Sequence, residues 1–200
     1  VGRADMKIGF IGLGNVGGKL AGSLIRNGHD VTVRDLDAAL VAEYVSRGAK
    51  EAASPAALGE AVDVIITCLP SPAASAAVAE GEDGFLAVMR PGQVWMEMST
   101  TDYAEVLRLG PLVEARGGLF MECPVSGGCH RADTGNIAIW IILGSRVDSV
   151  VGTDDHGHTS ILHVGVNILH LMHHIIWHTS LWSKTNRPFN LIDTSYISNR

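Results

Sequence analysis

The chain has 200 residues, of which 46% are hydrophobic and 18% are charged, and its formal net charge is −6 at pH 7. This composition excludes a disordered, collagen-like or coiled-coil chain, and a mildly acidic chain lacks the basic surface of a general nucleic-acid-binding protein. The three cysteines, an odd number without metal-binding spacing, predict free thiols in a reducing compartment, which we take to be the cytoplasm. No stretch reaches the ~18 uninterrupted apolar residues of a transmembrane helix, and we take Met6 as a natural start.

Strand-like and helix-like patterns alternate along residues 7–122. Short β-branched or continuous apolar runs predict strands, and apolar residues at helical spacing predict helices. In chain order the predicted elements are strand Lys7–Ile11, helix Asn15–Arg26, strand Asp30–Asp35, helix Ala38–Ser46, a helix starting at Ser54-Pro55, strand Val62–Leu69, helix Ala73–Ala79, strand Val94–Met98, helix Tyr103–Ala115 and strand Leu119–Glu122. The alternation predicts an α/β fold, a Rossmann-type doubly wound parallel sheet with helices on both faces.

A glycine-rich segment joins the first strand to the first helix with the spacing G-x-G-x-x-G. Its residues are Gly12, Leu13, Gly14, Asn15, Val16 and Gly17. In a dinucleotide-binding loop Gly12 permits a tight turn, Gly14 lets the backbone approach the pyrophosphate, and Gly17 lets helix and strand pack closely. The helix N-terminus then faces the phosphates. The alternative is a doubly wound domain in which these glycines only form turns.

Asp35 ends the second predicted strand, 18 residues after Gly17. A carboxylate at this place accepts hydrogen bonds from the adenosine ribose hydroxyls and repels a 2′-phosphate. Arg34 is predicted to point to the opposite face of the strand, which makes it a poor partner for that phosphate. The sequence therefore favours NAD over NADP as the cofactor.

Further motifs resemble the β-hydroxyacid dehydrogenase family, which includes 3-hydroxyisobutyrate dehydrogenase. The matching segments, over about residues 6–140, are residues 9–17 with Gly28-His29, Cys68-Leu69-Pro70, Pro91-Gly92 with Met98-Ser99-Thr100, and residues 122–128. Glu97 stands where the family has aspartate. The resemblance implies NAD-dependent hydride transfer between nicotinamide and a small β-hydroxyacid or semialdehyde.

The resemblance also implies two further sets of site residues. The set lining the nicotinamide half of the cofactor is Leu69, Pro70 and Thr100. The set holding the substrate carboxylate is Ser126, Gly127 and Gly128. A serine hydroxyl and the backbone N–H groups of a glycine pair are suitable donors for a carboxylate. The alternative for this second set is a plain turn between two strands.

The composition changes after residue 140. Residues 1–140 contain 21 alanines and residues 141–200 contain none, while seven of the nine histidines lie at or beyond His156. A second domain of different composition and a frame-shifted tail both account for this change. We expect a dinucleotide-binding domain over residues 1–160, followed over residues 161–200 by the start of a truncated or divergent helical domain.

The family's catalytic lysine lies on a later helix, and counting from residues 161–165 places His174 at its position. His174 would act as a general acid/base in its place. Alternatively, His170, His174 and His178 have the spacing for a metal on a helix. We favour a third interpretation, a shifted or degraded tail without a role.

Two functions therefore remain open. The first is a dehydrogenase; the second is a catalytically impaired NAD-binding module. The residue 126–128 signature disfavours a flavin or nucleotide-sugar Rossmann enzyme. The expected partners are the small hydroxyacid or semialdehyde and, in a homo-oligomer, further copies of the chain; neither nucleic acid nor a membrane is expected.

Overall fold

The computed structural model describes residues 6–99, 101–139 and 142–143. In chain order its elements are β1 Lys7–Ile11, α1 Gly17–Arg26, β2 Asp30–Arg34, α2 Ala38–Ser46, β3 Lys50–Glu51, α3 Pro55–Ala61, β4 Val64–Thr67, α4 Pro72–Glu80, a 3-10 helix Phe85–Val88, β5 Val94–Glu97, α5 Tyr103–Glu114, β6 Leu119–Glu122, β7 Val125–Ser126, α6 Gly128–Thr134, β8 Ala138–Ile139 and β9 Ile142–Leu143. Every strand and helix predicted over residues 7–122 is present. Most differ from the prediction by two residues or fewer at their ends.

The strands form one large sheet in the order β3-β2-β1-β4-β5-β6-β9. The first six are parallel to one another, and β9 runs antiparallel to β6. β7 and β8 form a separate antiparallel pair. Because each parallel pair is joined by a crossover that carries a helix, the helices cover the sheet. The predicted Rossmann-type α/β fold is confirmed, and the predicted helical domain over residues 161–200 lies outside the described residues.

Each face of the sheet has its own core. Side chains alternate along the strands, so Phe10 and Met96 pack on one face with α1, while Ile65, Trp95 and Phe120 pack on the other. The Trp95 ring meets Phe120 edge-on, with centroids 4.9 Å apart. Burial on both faces explains the continuous apolar runs of β4 and β5.

Side chains cap four of the helices at their N-termini. Ser54 Oγ accepts from Ala57 N at 3.1 Å and so caps α3, and Ser71 Oγ accepts from Ala74 N at 3.2 Å and so caps α4. Asp37 and Asp102 cap α2 and α5 in the same way. These oxygens satisfy N–H groups that have no partner within the helix.

The longest helix of the described ranges is α5, with 12 residues. No helix there combines the length and the apolar content that crossing a membrane requires.

Candidate functional site

The order of the strands identifies the edge of the sheet at which a ligand binds. It reverses between β1 and β4, and open parallel sheets bind ligands beyond the carboxyl ends of the strands at such a point. The glycine loop, residues 12–16, follows β1 at this edge. Residues 68–71 follow β4, and residues 98–99 follow β5.

The three glycines of the loop meet different surroundings. Gly12 has φ +98°, and a Cβ there would overlap the carbonyl oxygen of Cys68. A Cβ at Gly17 would overlap the carbonyl oxygen of Gly12. Gly14, by contrast, is exposed, and a Cβ there would have no atom within 4 Å. Gly12 and Gly17 are thus needed for close packing of the protein, whereas Gly14 borders open space that a ligand can occupy.

The other loop residues divide between the core and the surface. Leu13 is buried in the core beside α1, Val16 is half-buried, and Asn15 is exposed. No side chain caps the N-terminus of α1, which begins at Gly17. An uncapped helix N-terminus behind a glycine loop favours the binding of a phosphate group.

Asp35 lies just beyond the end of β2, with both carboxylate oxygens held by backbone. Oδ2 accepts from the N–H of Leu13 at 2.6 Å, and Oδ1 accepts from the N–H of Asp37 at 2.9 Å. The side chain is therefore fixed between the glycine loop and the start of α2. The next residue, Leu36, is 96% exposed.

Arg34 is half-buried and is bound to the backbone. Its guanidinium donates to the carbonyl oxygen of Asp35, and its Nε has no partner among the described residues. This arrangement keeps the guanidinium against the backbone beside Asp35.

A buried serine connects the loops that follow β4 and β5. Ser99 Oγ accepts from the N–H of Leu69 at 2.7 Å, and the Ser75 hydroxyl of α4 donates to it at 3.5 Å. The N–H of Ser99 in turn donates to Oε1 of Glu97 at 2.8 Å. Leu69 is half-buried and Pro70 is exposed. Sequence reasoning missed the role of Ser99, although the residue lies within a segment that it matched to the family.

Two glutamates lie side by side at the carboxyl ends of β5 and β6. Glu97 pairs in register with Glu122, and Glu97 is only 2% exposed. Burial, and then the nearby charge of Glu97, raise the pKa of the Glu122 carboxyl above its ordinary value. Oε2 of Glu97 has no hydrogen-bond partner among the described residues.

Two thiols lie near this edge, that of Cys68 half-buried and that of Cys123 buried. Burial, and then the charge of Glu97, raise the pKa of Cys68 to about 11. Burial, with Glu122 and Glu97, raises the pKa of Cys123 further still. Both thiols therefore stay protonated at neutral pH. All three cysteines are free, as the sequence predicted, and Cys129 is exposed.

The predicted carboxylate-binding set lies where β7 passes into α6. Ser126 ends β7, Gly127 has φ +131° and precedes α6, and Gly128 has φ +73° and begins it. The alternative of a turn between two strands is wrong, because a helix follows. All three residues are exposed. α6 packs against α1, the helix that follows the glycine loop.

Several predicted residues lie outside the described residues. They are Thr100 and His174, together with His170 and His178 of the alternative metal site. Within the described ranges, no group of three or more metal-ligating side chains lies close enough to hold an ion.

Comparison with known sequences assigns the family. Residues 7–149 match the model described as the NAD binding domain of 6-phosphogluconate dehydrogenase. A probable mitochondrial 3-hydroxyisobutyrate dehydrogenase of Dictyostelium discoideum is 37% identical over 141 residues, which are 70% of this chain and 44% of that protein. The human cytokine-like nuclear factor N-PAC is 35% identical over 142 residues, which are 71% of this chain and 26% of that protein.

Solved structures are similar over the same part of the chain. The 3-hydroxyisobutyrate dehydrogenase of Mycobacterium tuberculosis with L-serine has a TM-score of 0.63 at 29% identity, over 68% of this chain and 46% of that one. Psf3 in complex with NADP+ and 2-OPP has a TM-score of 0.65 at 26% identity, over 68% of this chain and 48% of that one. The chain thus spans less than half the length of each of these proteins. It belongs to the family of the NAD-binding domain of 6-phosphogluconate dehydrogenase, and its predicted resemblance to the β-hydroxyacid dehydrogenases is confirmed.

Proposed function

We propose that this chain is the dinucleotide-binding part of an NAD-dependent oxidoreductase of the β-hydroxyacid dehydrogenase type. The observation that carries this proposal is the open space over Gly14, between an uncapped helix N-terminus and a fixed carboxylate. Gly14 and the start of α1 would hold the pyrophosphate, and Asp35 would hold the adenosine ribose. When bound, the nicotinamide ring supplies the acceptor for a hydride.

The cofactor preference rests on residues 34–36. A 2′-phosphate placed at the ribose would meet the carboxylate of Asp35, while the adjoining side chain of Leu36 is apolar and Arg34 is bound to backbone. Like charges at close range disfavour the phosphate, so NAD is the preferred cofactor and NADP the weaker one.

The substrate class rests on residues 126–128. An exposed serine hydroxyl and two glycines with positive φ present donors suited to a carboxylate. L-Serine, found with the M. tuberculosis relative, carries both a carboxylate and a β-hydroxyl. A small β-hydroxyacid or its semialdehyde, such as 3-hydroxyisobutyrate, is therefore the proposed substrate. Its carboxylate would be anchored by Ser126, Gly127 and Gly128 while a hydride leaves the hydroxyl-bearing carbon.

The second candidate function is an NAD-binding module without turnover. Two observations favour it: the sequence places His174 at the family's lysine position, and one relative of comparable identity is named a nuclear factor rather than a dehydrogenase. Cys68 and Cys123 stay protonated and so are unsuited to take the hydroxyl proton.

A cytoplasmic location and a homo-oligomer remain predictions.

Two assays on the full chain distinguish these functions. Calorimetry measures NAD and NADP binding, and absorbance follows NADH production with 3-hydroxyisobutyrate, L-serine and glycerate. NAD binding with turnover supports the dehydrogenase, and binding without turnover supports the module. A chain that binds neither dinucleotide contradicts both.

A further inference from the structure

We propose that Glu97 is a positioning residue for the nicotinamide half of the site, acting through Ser99 on the loop that carries Leu69 and Pro70. The inference rests on the proposed function, because it assumes that these loops meet the nicotinamide end of a bound dinucleotide. Glu97 itself is buried and makes no contact with the cofactor in this scheme.

The first step is the contact between Glu97 and the segment after β5. Oε1 of Glu97 accepts from the N–H of Ser99 at 2.8 Å, and both residues are 2% exposed. A hydrogen bond to a carboxylate is about twice as strong as one between neutral groups. The glutamate side chain therefore caps the end of its own strand and fixes the backbone of Ser99, two residues further along the chain.

The second step links Ser99 to the neighbouring loop. Its Oγ accepts from the N–H of Leu69 at 2.7 Å, although the two residues are 30 positions apart in the chain. The N–H of Met98 also donates to the carbonyl oxygen of Thr67 at 2.8 Å. The loops after β4 and β5 are thus held as one unit, with the carboxylate at its buried end.

The third step concerns the glycine loop and the adenosine end of the site, whose contacts involve neither Glu97 nor Ser99. The N–H of Cys68 donates to the carbonyl oxygen of Ile11 at 3.0 Å, and the space beside Gly12 is filled by the Cys68 carbonyl group. The ribose end of the site is held separately, by the contact of Asp35 with the N–H of Leu13. A disturbance at Glu97 should therefore reach the nicotinamide half and leave the adenosine half intact.

The burial of Glu97 is costly, which points to a role for its carboxylate. Oε2 has no partner among the described residues, and the in-register neighbour is another glutamate, Glu122. Its in-register neighbour on the other side, Thr67, accepts from Trp95 Nε1 at 2.8 Å and so is satisfied within the core. Burying a carboxylate beside a second glutamate costs free energy, so packing alone does not explain a glutamate at this position.

The test compares NADH with ADP-ribose, which lacks only the nicotinamide, on the full chain. In Glu97→Ala and Ser99→Ala we expect NADH affinity to fall ~10-fold, because the first leaves the buried N–H of Ser99 and the second the half-buried N–H of Leu69 without an acceptor. The fluorescence of bound NADH should shift towards that of free NADH, while ADP-ribose affinity stays within about twofold of the wild-type value. Glu97→Gln keeps an oxygen acceptor and should restore most of the NADH affinity.

The matched control is Thr67→Val, which leaves the buried Nε1–H of Trp95 unpaired but keeps the backbone carbonyl that joins Thr67 to Met98. It should lower stability without changing the ratio of the two affinities. If Glu97→Ala and Ser99→Ala keep the wild-type NADH affinity and fluorescence, the inference is overturned while the proposed function stands. Equal losses of affinity for NADH and ADP-ribose would have the same result. A wild-type chain that binds neither ligand would overturn the proposed function and the inference with it. If Glu97→Ala does not fold, Ser99→Ala and Glu97→Gln carry the same comparison.

Discussion

At the scale of single residues, the glycines of the loop have two functions. Gly14 borders the open space proposed for the cofactor, whereas Gly12 and Gly17 permit close packing of the backbone. Gly14→Val should keep the fold and abolish NAD binding, because its side chain would enter the open space over the loop. Gly17→Val is the matched control: its side chain would meet the Gly12 carbonyl and should lower the melting temperature. Circular dichroism melting and NAD calorimetry measure the two effects. Retained NAD affinity in Gly14→Val would remove the glycine loop from the site.

Asp35 is expected to set the cofactor preference. Asp35→Ala should reduce the discrimination between NAD and NADP by about 1–3 kcal/mol, the range of a hydrogen bond to a charged group. Asp35→Asn serves as its control, because it removes the charge but keeps an acceptor for the N–H of Leu13. Calorimetric titration with both dinucleotides provides the measurement. Equal wild-type affinities for NAD and NADP would contradict the assignment.

Glu122 should make stability depend on pH. Its folded-state pKa is raised, first by burial and then by Glu97, so the folded chain binds its proton more tightly than the unfolded chain. The contribution of Glu122 to the free energy of unfolding is fully present below the ordinary glutamate pKa of about 4.3. It is lost as the pH rises through the raised pKa of the folded chain. Glu122→Gln should remove this fall, whereas the exposed Glu82→Gln should not. Urea unfolding at several pH values measures the free energy of unfolding. If Glu122→Gln has the same pH dependence as the wild type, this account is wrong.

At the scale of elements, the start of α4 adjoins the loop proposed to meet the nicotinamide. Ser71→Ala removes the cap of α4 and should cost about 1 kcal/mol of unfolding free energy. Ser54→Ala removes the equivalent cap of α3 and should cost a similar amount. Only the first variant should also weaken NAD binding, because it loosens the chain next to Pro70. Equal NAD affinities in the two variants would show that α4 does not support the site.

The elements that the sequence predicted are those with enough residues to display a period. β1, β4, β5 and their helices combine apolar runs with glycine, proline or serine boundaries. β3 and β7 have two residues each, too few for an alternation, and α6 buries only Ala132 and so has no apolar stripe. Short or polar elements of this kind are determined by tertiary contacts rather than by local pattern.

The site divides in the same way. The glycine motif and Asp35 could be predicted because their chemistry depends on local spacing. The link from Glu97 through Ser99 to Leu69 could not, because it joins two loops that become neighbours only when β4 and β5 pair. Sequence spacing does not encode that distance. The ligand-binding and catalytic roles of all these residues stay predictions, including those of Thr100 and His174.

At the scale of the whole molecule, binding and turnover should separate. If the chain is the NAD-binding module, it should bind NAD but produce NADH slowly, since loss of a general acid/base alone costs about 10²–10⁴-fold. A gain of activity in His174→Lys would support both the alignment and the loss of function. Robust wild-type turnover that disappears in His174→Ala would instead make His174 the base. NADH absorbance with 3-hydroxyisobutyrate measures each case.

The contact between the Cys68 carbonyl group and Gly12 has a consequence for folding. In β1, Ile8 pairs with Val31 of β2, which follows closely in the chain, but its other neighbour is Val64 of β4, which comes much later. Such distant pairings form late, because the intervening chain must close a long loop first. A nascent chain that ends before β4 therefore contains the whole glycine motif without the surface that shapes it. The nucleotide site is completed only when the two halves of the sheet join.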